Sequence, residues 1–350
     1  MIIDELRTPI VLAPMAGGPS TPELAAAVSN AGGLGFLAAG YLSAADTGNR
    51  IAAVRELTGA PFGVNLFVAG VPTPPERFAS YLEHLGRTFP LGEARFDTDA
   101  WDEKLDLLTA DPVAVVSCTF GCPSEGEIAR LHGAGSQVWV TVTSVAEARI
   151  AVEAGADALI AQGAEAGGHR GGFTDQPEDD DTDPLGTLAL VQLLRSAPDT
   201  SAAPIVAAGG IATGAGIAAA LAAGAAAAQL GTAFLRCPEA GTSALHRDAL
   251  EIDTPTMLTR AFSGRRARGL QNRFILDNPG APAAYPEIHY ATGPLRARAR
   301  ADGNPDAVNL WAGQAHTLTT ELPAADLVRT LSEEAKAALQ SALSRTIQSC

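Results

Sequence analysis

Eight continuous apolar runs recur along the chain, at residues 9–15, 33–39, 61–68, 113–120, 137–143, 157–162, 204–209 and 226–235. Helix-length segments separate most of them, at 22–31, 43–57, 123–134, 144–154, 184–197 and 213–223. A strand with one wet face alternates apolar and polar residues; these runs do not, and read as strands covered on both faces. Strand–helix alternation of this kind specifies parallel βαβ units, and eight of them predict an α/β fold, a closed (β/α)8 TIM barrel. An open doubly wound sheet is the alternative, because a count of runs does not prove closure.

Two stretches break the rhythm. Residues 70–110 are too long for one loop and carry helix-like stretches at 75–88 and 100–109, a helical insertion after the third strand. From about residue 240 the alternation stops, and a last amphipathic helix is expected around 324–346. The expected division is a barrel over 1–240, insertion included, and a C-terminal extension over 241–350 docked on the barrel mouth. The acid-rich stretch from Asp175 to Asp183 reads as a solvated loop, since like charges that dense resist burial.

Charge and cysteine content remove whole classes of function. A net charge of −15 repels phosphate backbones and anionic lipid surfaces, arguing against nucleic-acid and membrane partners. The four cysteines, Cys118, Cys122, Cys237 and Cys350, lack a second Cys/His pair at zinc spacing, so no metal is expected; small buried hydrophobes in a reducing compartment fit better. Met1-Ile2-Ile3-Asp4-Glu5 is acidic where a secretion signal is basic. The uncharged stretches at 24–45 and 200–235 are cut by Gly32-Gly33, Gly209-Gly210 and Thr213-Gly214 into pieces too short to span a bilayer. A cytoplasmic protein is expected; monomer and homodimer are both open.

Chemistry concentrates where strands meet glycines. Residues 161–172 carry five glycines beside Glu165 and His169, directly after the apolar run ending at Ile160. Glycine there costs backbone entropy, so the loop needs positive φ or close backbone approach to something. Gly209-Gly210 follows the seventh run, Thr213 can cap the next helix, and Gln229-Leu230-Gly231-Thr232 closes the eighth. In barrels the phosphate site falls after strands seven and eight, where bare N–H groups converge. Gly33-Leu34-Gly35-Phe36-Leu37-Ala38 fits a loose dinucleotide spacing but opens a strand instead of following one. One phosphate site without that fingerprint favours a mononucleotide such as FMN over NAD or FAD.

These pieces together resemble the nitronate monooxygenase family, formerly 2-nitropropane dioxygenases, which are FMN-dependent (β/α)8 enzymes. The matching segments are Ala13-Pro14-Met15-Ala16-Gly17-Gly18, Gly63-Val64-Asn65-Leu66-Phe67, the Gln162–Gly172 loop, Ala208-Gly209-Gly210-Ile211 and Gln229-Leu230-Gly231-Thr232. Thr259-Arg260-Ala261-Phe262-Ser263-Gly264-Arg265 and Leu310-Trp311-Ala312-Gly313-Gln314 extend the match into the tail. The resemblance implies that Asn65, Gln162 and Gly167 line the flavin, and that Met15 lies against its ring. Gly210, Gln229, Leu230, Gly231 and Thr232 would hold the ribityl phosphate, with His169 the catalytic base. The implied substrates are an alkyl nitronate and O2, with propionate 3-nitronate among the candidates.

A neutral imidazole suits abstraction of a nitroalkane α-proton near pH 7; for a substrate already ionised, His169 becomes an electrostatic or hydrogen-bond partner. Glu165 reads as a loop brace, and His84, His132, His246, His289 and His316 as surface or packed residues. Tyr285 and Tyr290 could approach the substrate from the tail. Some family members add a lysine there; this chain has none between Lys104 and Lys336, leaving Arg296 or Arg298 as substitutes. Two rivals share the glycine–histidine loop: an NAD(P)H-dependent enoyl-thioester reductase and an NADH:quinone reductase. A phosphate-binding barrel without redox function is the rival from another class.

Overall fold

A computed structural model describes residues 1–176 and 183–347. All eight apolar runs are strands. They are β1 Ile10–Leu12, β2 Gly35–Ala38, β3 Phe62–Phe67, β4 Val115–Thr119, β5 Gln137–Val142 and β6 Ala158–Gln162. After a two-residue strand, β7 Gly168–His169, come β8 Ile205–Ala208 and β9 Ala227–Leu230. The parallel order is β1-β9-β8-β6-β5-β4-β3-β2. Its ends meet: Leu12 N donates to Leu34 O at 2.9 Å and Leu34 N to Ile10 O at 3.0 Å, around a Val11–Leu34 bridge. The sheet is a barrel, and the open-sheet alternative falls away.

Local chemistry starts the intervening helices where expected. Helices run over Pro22–Asn30, Ala44–Leu57, Glu125–Ala134, Val145–Glu153 and Gly214–Ala222, capped by the side chains of Thr21, Ser43, Ser124, Ser144 and Thr213. Each cap satisfies an orphan N–H, worth about 1 kcal/mol. A sixth helix, Thr187–Ser196, starts without a side-chain cap. In the insertion, helices occupy Ala79–Gly86 and Trp101–Ala110; the second packs between Ala44–Leu57 and Glu125–Ala134 as an ordinary barrel helix.

Strand period two sorts side chains between two cores. Val11, Leu34, Phe36, Val115, Trp139, Ala158, Ile160, Val206 and Ala227 fill the barrel interior. Phe36 and Trp139 dominate it, and a Cβ at Gly63 would lie 2.3 Å from the Phe36 ring, so only glycine fits there. Their neighbours Val64, Leu66, Val116, Cys118, Val140, Leu159, Ala161 and Ala207 face outward into the helical layer. Above the interior plug the same inward register reaches Asn65, Thr119, Thr141, Gln162 and Gln229 at the strands' C-terminal ends.

The tail does two different things. Its last helix, Ala324–Ile347, packs on Gly214–Ala222 and Pro22–Asn30, with Leu327, Val328 and Leu331 in one core with Ile10, Leu12 and Ile217. It completes the helical ring from the far end of the chain, flanking the barrel instead of covering it. Residues 256–318 supply the cover. There β10 Thr256–Thr259 and β11 Ala267–Leu270 form an antiparallel pair, and β11 pairs with β7, placing Ala267 opposite His169.

Two expectations need correction. The Asp175 side chain is 8% exposed, ion-paired to Arg260 at 2.9 Å and Arg266 at 3.4 Å; two guanidiniums compensate its burial. Residues 177–182, the rest of that acidic stretch apart from Gln176 and Asp183, lie outside the described residues, as does Cys350. Cys118 and Cys237 are buried, whereas Cys122 is only half-buried. Among the described residues, no helix is long and apolar enough to cross a membrane.

Candidate active site

The inward side chains at the barrel's C-terminal end line a cavity of about 530 Å³, roofed by the tail. Met15, Asn65, Gln162, Gly167, His169, Gly210, Gln229, Gly231 and Thr232 all border it. Leu230 does not. The period-two register that turns Gln229 inward turns Leu230 outward, into the core with Ile10, Leu12 and Leu24.

The His169 loop is clamped from both sides. Gln162 Nε2 donates to the His169 carbonyl at 3.0 Å, and its Oε1 accepts from Gly171 N at 2.8 Å, so this glutamine braces the loop. Glu165 accepts from Thr187 N and Oγ1 at 3.0 Å, the brace expected of it. Buried Arg170 donates to Gly163 O at 2.6 Å, Arg268 to Ala164 O at 2.9 Å, and Arg265 to Arg170 O at 3.2 Å. Gly167 is obligatory on contact grounds: its Cβ would lie 2.5 Å from Gly313 N and 2.6 Å from Ala312 C. That close approach lets Gly313 N donate to Thr232 Oγ1 and Gln314 N to Glu165 O, each at 3.0 Å.

His169 Nε2 lies 2.9 Å from Ser263 Oγ, and Ser263 donates its own proton to Arg265 O at 3.1 Å. The ring nitrogen therefore donates to Ser263, which assigns the Nε2–H tautomer and leaves Nδ1 with its lone pair. Phe120, Tyr285 and Trp311 surround the imidazole, with ring centroids 5.9, 5.6 and 5.5 Å away. Burial first, then the positive charges of Arg265 and Arg296, press its pKa down to about 3. The ring is neutral at physiological pH.

Two histidines expected at the surface or in packing also border the cavity. His246 donates to Trp311 O at 3.1 Å, and burial lowers its pKa to about 4. His289 stacks on Tyr41, centroids 4.1 Å apart and planes 4° apart, with its pKa held well below the ordinary value by burial and then Arg296. Both ride on tail helices, and a lone histidine in a tail carries no spacing signal. His84 and His132 are exposed; His316 is packed, with Nε2 2.9 Å from Thr254 O. Tyr285 reaches His169, whereas Tyr290 lies under the Arg95 guanidinium at 3.8 Å and borders a second chamber. Of the two candidate arginines, Arg296 borders the cavity, donating to His289 O at 2.6 Å, and Arg298 pairs with Asp302 at the surface. Among the described residues no carboxylate forms an ion pair with Arg296.

The donor set fits a ligand with an anionic end and a polar ring. Gln229 Nε2 is buried and finds no hydrogen-bond partner among the described residues, a costly state unless a ligand acceptor meets it. Asn65 spends Nδ2 on Ser117 and Thr119 at 3.0 Å, which leaves Oδ1 as an acceptor. Gly209 and Gly210 lie at φ +120° and +66°, and a Cβ on Gly210 would come 2.7 Å from Glu165 Cβ. Both border the cavity together with Gly231 and Thr232, a glycine-rich cradle after the last two barrel strands, where barrels bind phosphate.

Matches to known proteins extend over nearly the whole chain. The family model described as nitronate monooxygenase matches residues 2–334. A nitronate monooxygenase of Pseudomonas aeruginosa is 44% identical over 346 residues, covering 94% of this chain and 96% of that protein. A probable nitronate monooxygenase of Bacillus subtilis is 36% identical over 342 residues, covering 94% and 96%. The solved structure of nitroalkane oxidase from Streptomyces ansochromogenes superposes with a TM-score of 0.93 at 48% identity, covering 98% of this chain and 99% of that one. FabK from Thermotoga maritima superposes less well, with a TM-score of 0.74 at 28% identity over 98% and 97%.

Proposed function

The chain belongs to the nitronate monooxygenase family, and from that premise we propose that it binds FMN and uses O2 to oxidise alkyl nitronates to carbonyl compounds and nitrogen oxyanions. The observation that carries the cofactor assignment is the buried, unpartnered Gln229 amide beside the glycine cradle. Gly210, Gln229, Gly231 and Thr232 would hold the phosphate; Asn65, Gln162 and Gly167 would line the flavin, with Met15 against its ring. A flavin held there would supply the redox chemistry, as acceptor of the substrate's electrons and donor to dioxygen.

The chain's own residues then divide the remaining work. Nδ1 of His169 is the available proton acceptor, because Ser263 occupies Nε2. With its pKa near 3, this imidazole takes a carbon-bound proton reluctantly. Arg265 and Arg296, which depress that basicity, attract an anion to the same spot. The balance suits a substrate that arrives as a nitronate over one that must be deprotonated on the enzyme. Trp311, Phe120 and Tyr285 keep water from the reacting carbon.

His169→Asn tests the assignment. Bound FMN should persist, oxidation of neutral nitroalkanes should fall by about 10²–10⁴-fold, and oxidation of preformed nitronates far less. Equal losses on both substrates would defeat His169 as the base.

A further inference from the structure

Tyr41 follows β2 in the left-handed region, at φ +67°. A bulky residue is strained there, and such strain persists only where surrounding structure holds it. Asp99 of the insertion supplies the hold: its Oδ1 accepts from Tyr41 N at 2.7 Å. The other carboxylate oxygen pairs with Lys104 Nζ at 2.7 Å, with the two side chains 13% and 1% exposed. A buried ion pair is a poor device for stability alone, so its attachment to one strained backbone points to positioning.

That clamp delivers a phenol to the His169 side of the cavity. The Tyr41 ring stacks on His289, and its hydroxyl oxygen accepts from Tyr285 O–H at 3.0 Å. With Tyr285 as donor in that bond, Tyr41 retains its own proton for another acceptor. Among the described residues no acceptor for it is found, and Tyr41 borders the cavity alongside His169 and Arg296. Burial pushes its pKa up to about 12, so the phenol stays protonated and able to donate.

We propose that Tyr41 O–H donates a hydrogen bond to a nitro-group oxygen of the substrate, and that Asp99 is the positioning residue that aims it. This rests on the nitronate reading above and deepens it: the Tyr285–Tyr41 relay, with Arg296 nearby, forms a polarised site for an N–O oxygen. Such a site gains strength in a dry, low-dielectric pocket.

The test uses flavin-loaded enzyme, its Tyr41→Phe and Asp99→Asn variants, and the double variant. Steady-state oxidation of a nitronate and the Kd of inorganic nitrite, followed through flavin absorbance, are both read. Tyr41→Phe should keep its flavin and thermal midpoint, lose about ten- to a hundredfold in kcat/KM, and bind nitrite correspondingly more weakly. Asp99→Asn should lose less, and adding it to Tyr41→Phe should cost little more, because its effect passes through the hydroxyl already removed. Activity and nitrite affinity within twofold of the parent in Tyr41→Phe would overturn the proposal. Loss of flavin from that variant would also overturn it, since the hydroxyl would then be serving the cofactor. Fully additive losses would remove Asp99 from its positioning role. If the parent oxidises no nitronate, the functional reading fails, while the nitrite affinities still decide whether Tyr41 binds such an oxygen.

Discussion

Gly167→Ala is the sharpest perturbation of the contact that joins barrel and tail. Gly167 does not lie at positive φ, so an added methyl brings no dihedral penalty and acts by contact alone. It would meet Gly313 N at 2.5 Å and Ala312 C at 2.6 Å, both backbone atoms that cannot rotate aside. The 311–314 segment must shift, at about 1–3 kcal/mol for overpacking. The shift strains two hydrogen bonds, Gly313 N to Thr232 Oγ1 and Gln314 N to Glu165 O, worth about 1 kcal/mol each. A total of about 2–5 kcal/mol lowers the melting midpoint of a 350-residue chain by about 3–7 °C. Trp311 moves with the segment and opens the wall beside His169, so turnover should fall as well. Gly59→Ala is the control, because nothing lies within 4 Å of a Cβ built there. Calorimetry and steady-state kinetics on both variants give the answer. A Gly167→Ala protein melting within a degree of its parent, with unchanged turnover, would refute the claim that this contact holds the site together.

Gln229→Leu separates cofactor binding from folding: it removes a buried unpaired donor, so the apoprotein should melt no lower than its parent while FMN affinity drops about 5- to 100-fold. Titration of apoprotein with FMN checks this, and unchanged affinity would leave that amide without a cofactor role. The buried histidines give a pH dependence whose sign is fixed. His169 titrates near 3, His246 near 4 and His289 well below its ordinary value, so between those values and about 6.5 the unfolded chain binds more protons. The stability they contribute is complete above about pH 6.5 and is lost as pH falls, by up to about 1.4 kcal/mol per pH unit for each histidine. Melting midpoints should therefore drop from pH 7 to pH 5, and a flat profile would show that these rings are not held neutral.

Much of the barrel could be read from residue order alone, because a strand covered on both faces leaves an uninterrupted apolar run and a capped helix leaves Ser or Thr before its first turn. Period two then places Asn65, Gln162 and Gln229 inside. Applying it to Leu230 as well would have turned that residue outward. What resisted reading depends on contacts far apart in sequence. Strand β11 reads Ala-Arg-Gly-Leu and has no strand-like pattern; it exists because β10 on one side and β7, about a hundred residues earlier, on the other pair with it. His246, His289 and Tyr41 reach the cavity through tail packing and a strained turn, neither of which leaves a local signature. Asp175 sits in a run of acids, and its pairs with Arg260 and Arg266, about ninety residues later, leave no mark on the local sequence.

Anaerobic mixing of the purified protein with a nitronate and, separately, with NADH tests the central claim most directly. Bound FMN should bleach promptly with the nitronate, stay oxidised with NADH, and regain its colour when oxygen is admitted. Prompt bleaching by NADH alone, with the nitronate inert, would contradict the account and identify a reductase.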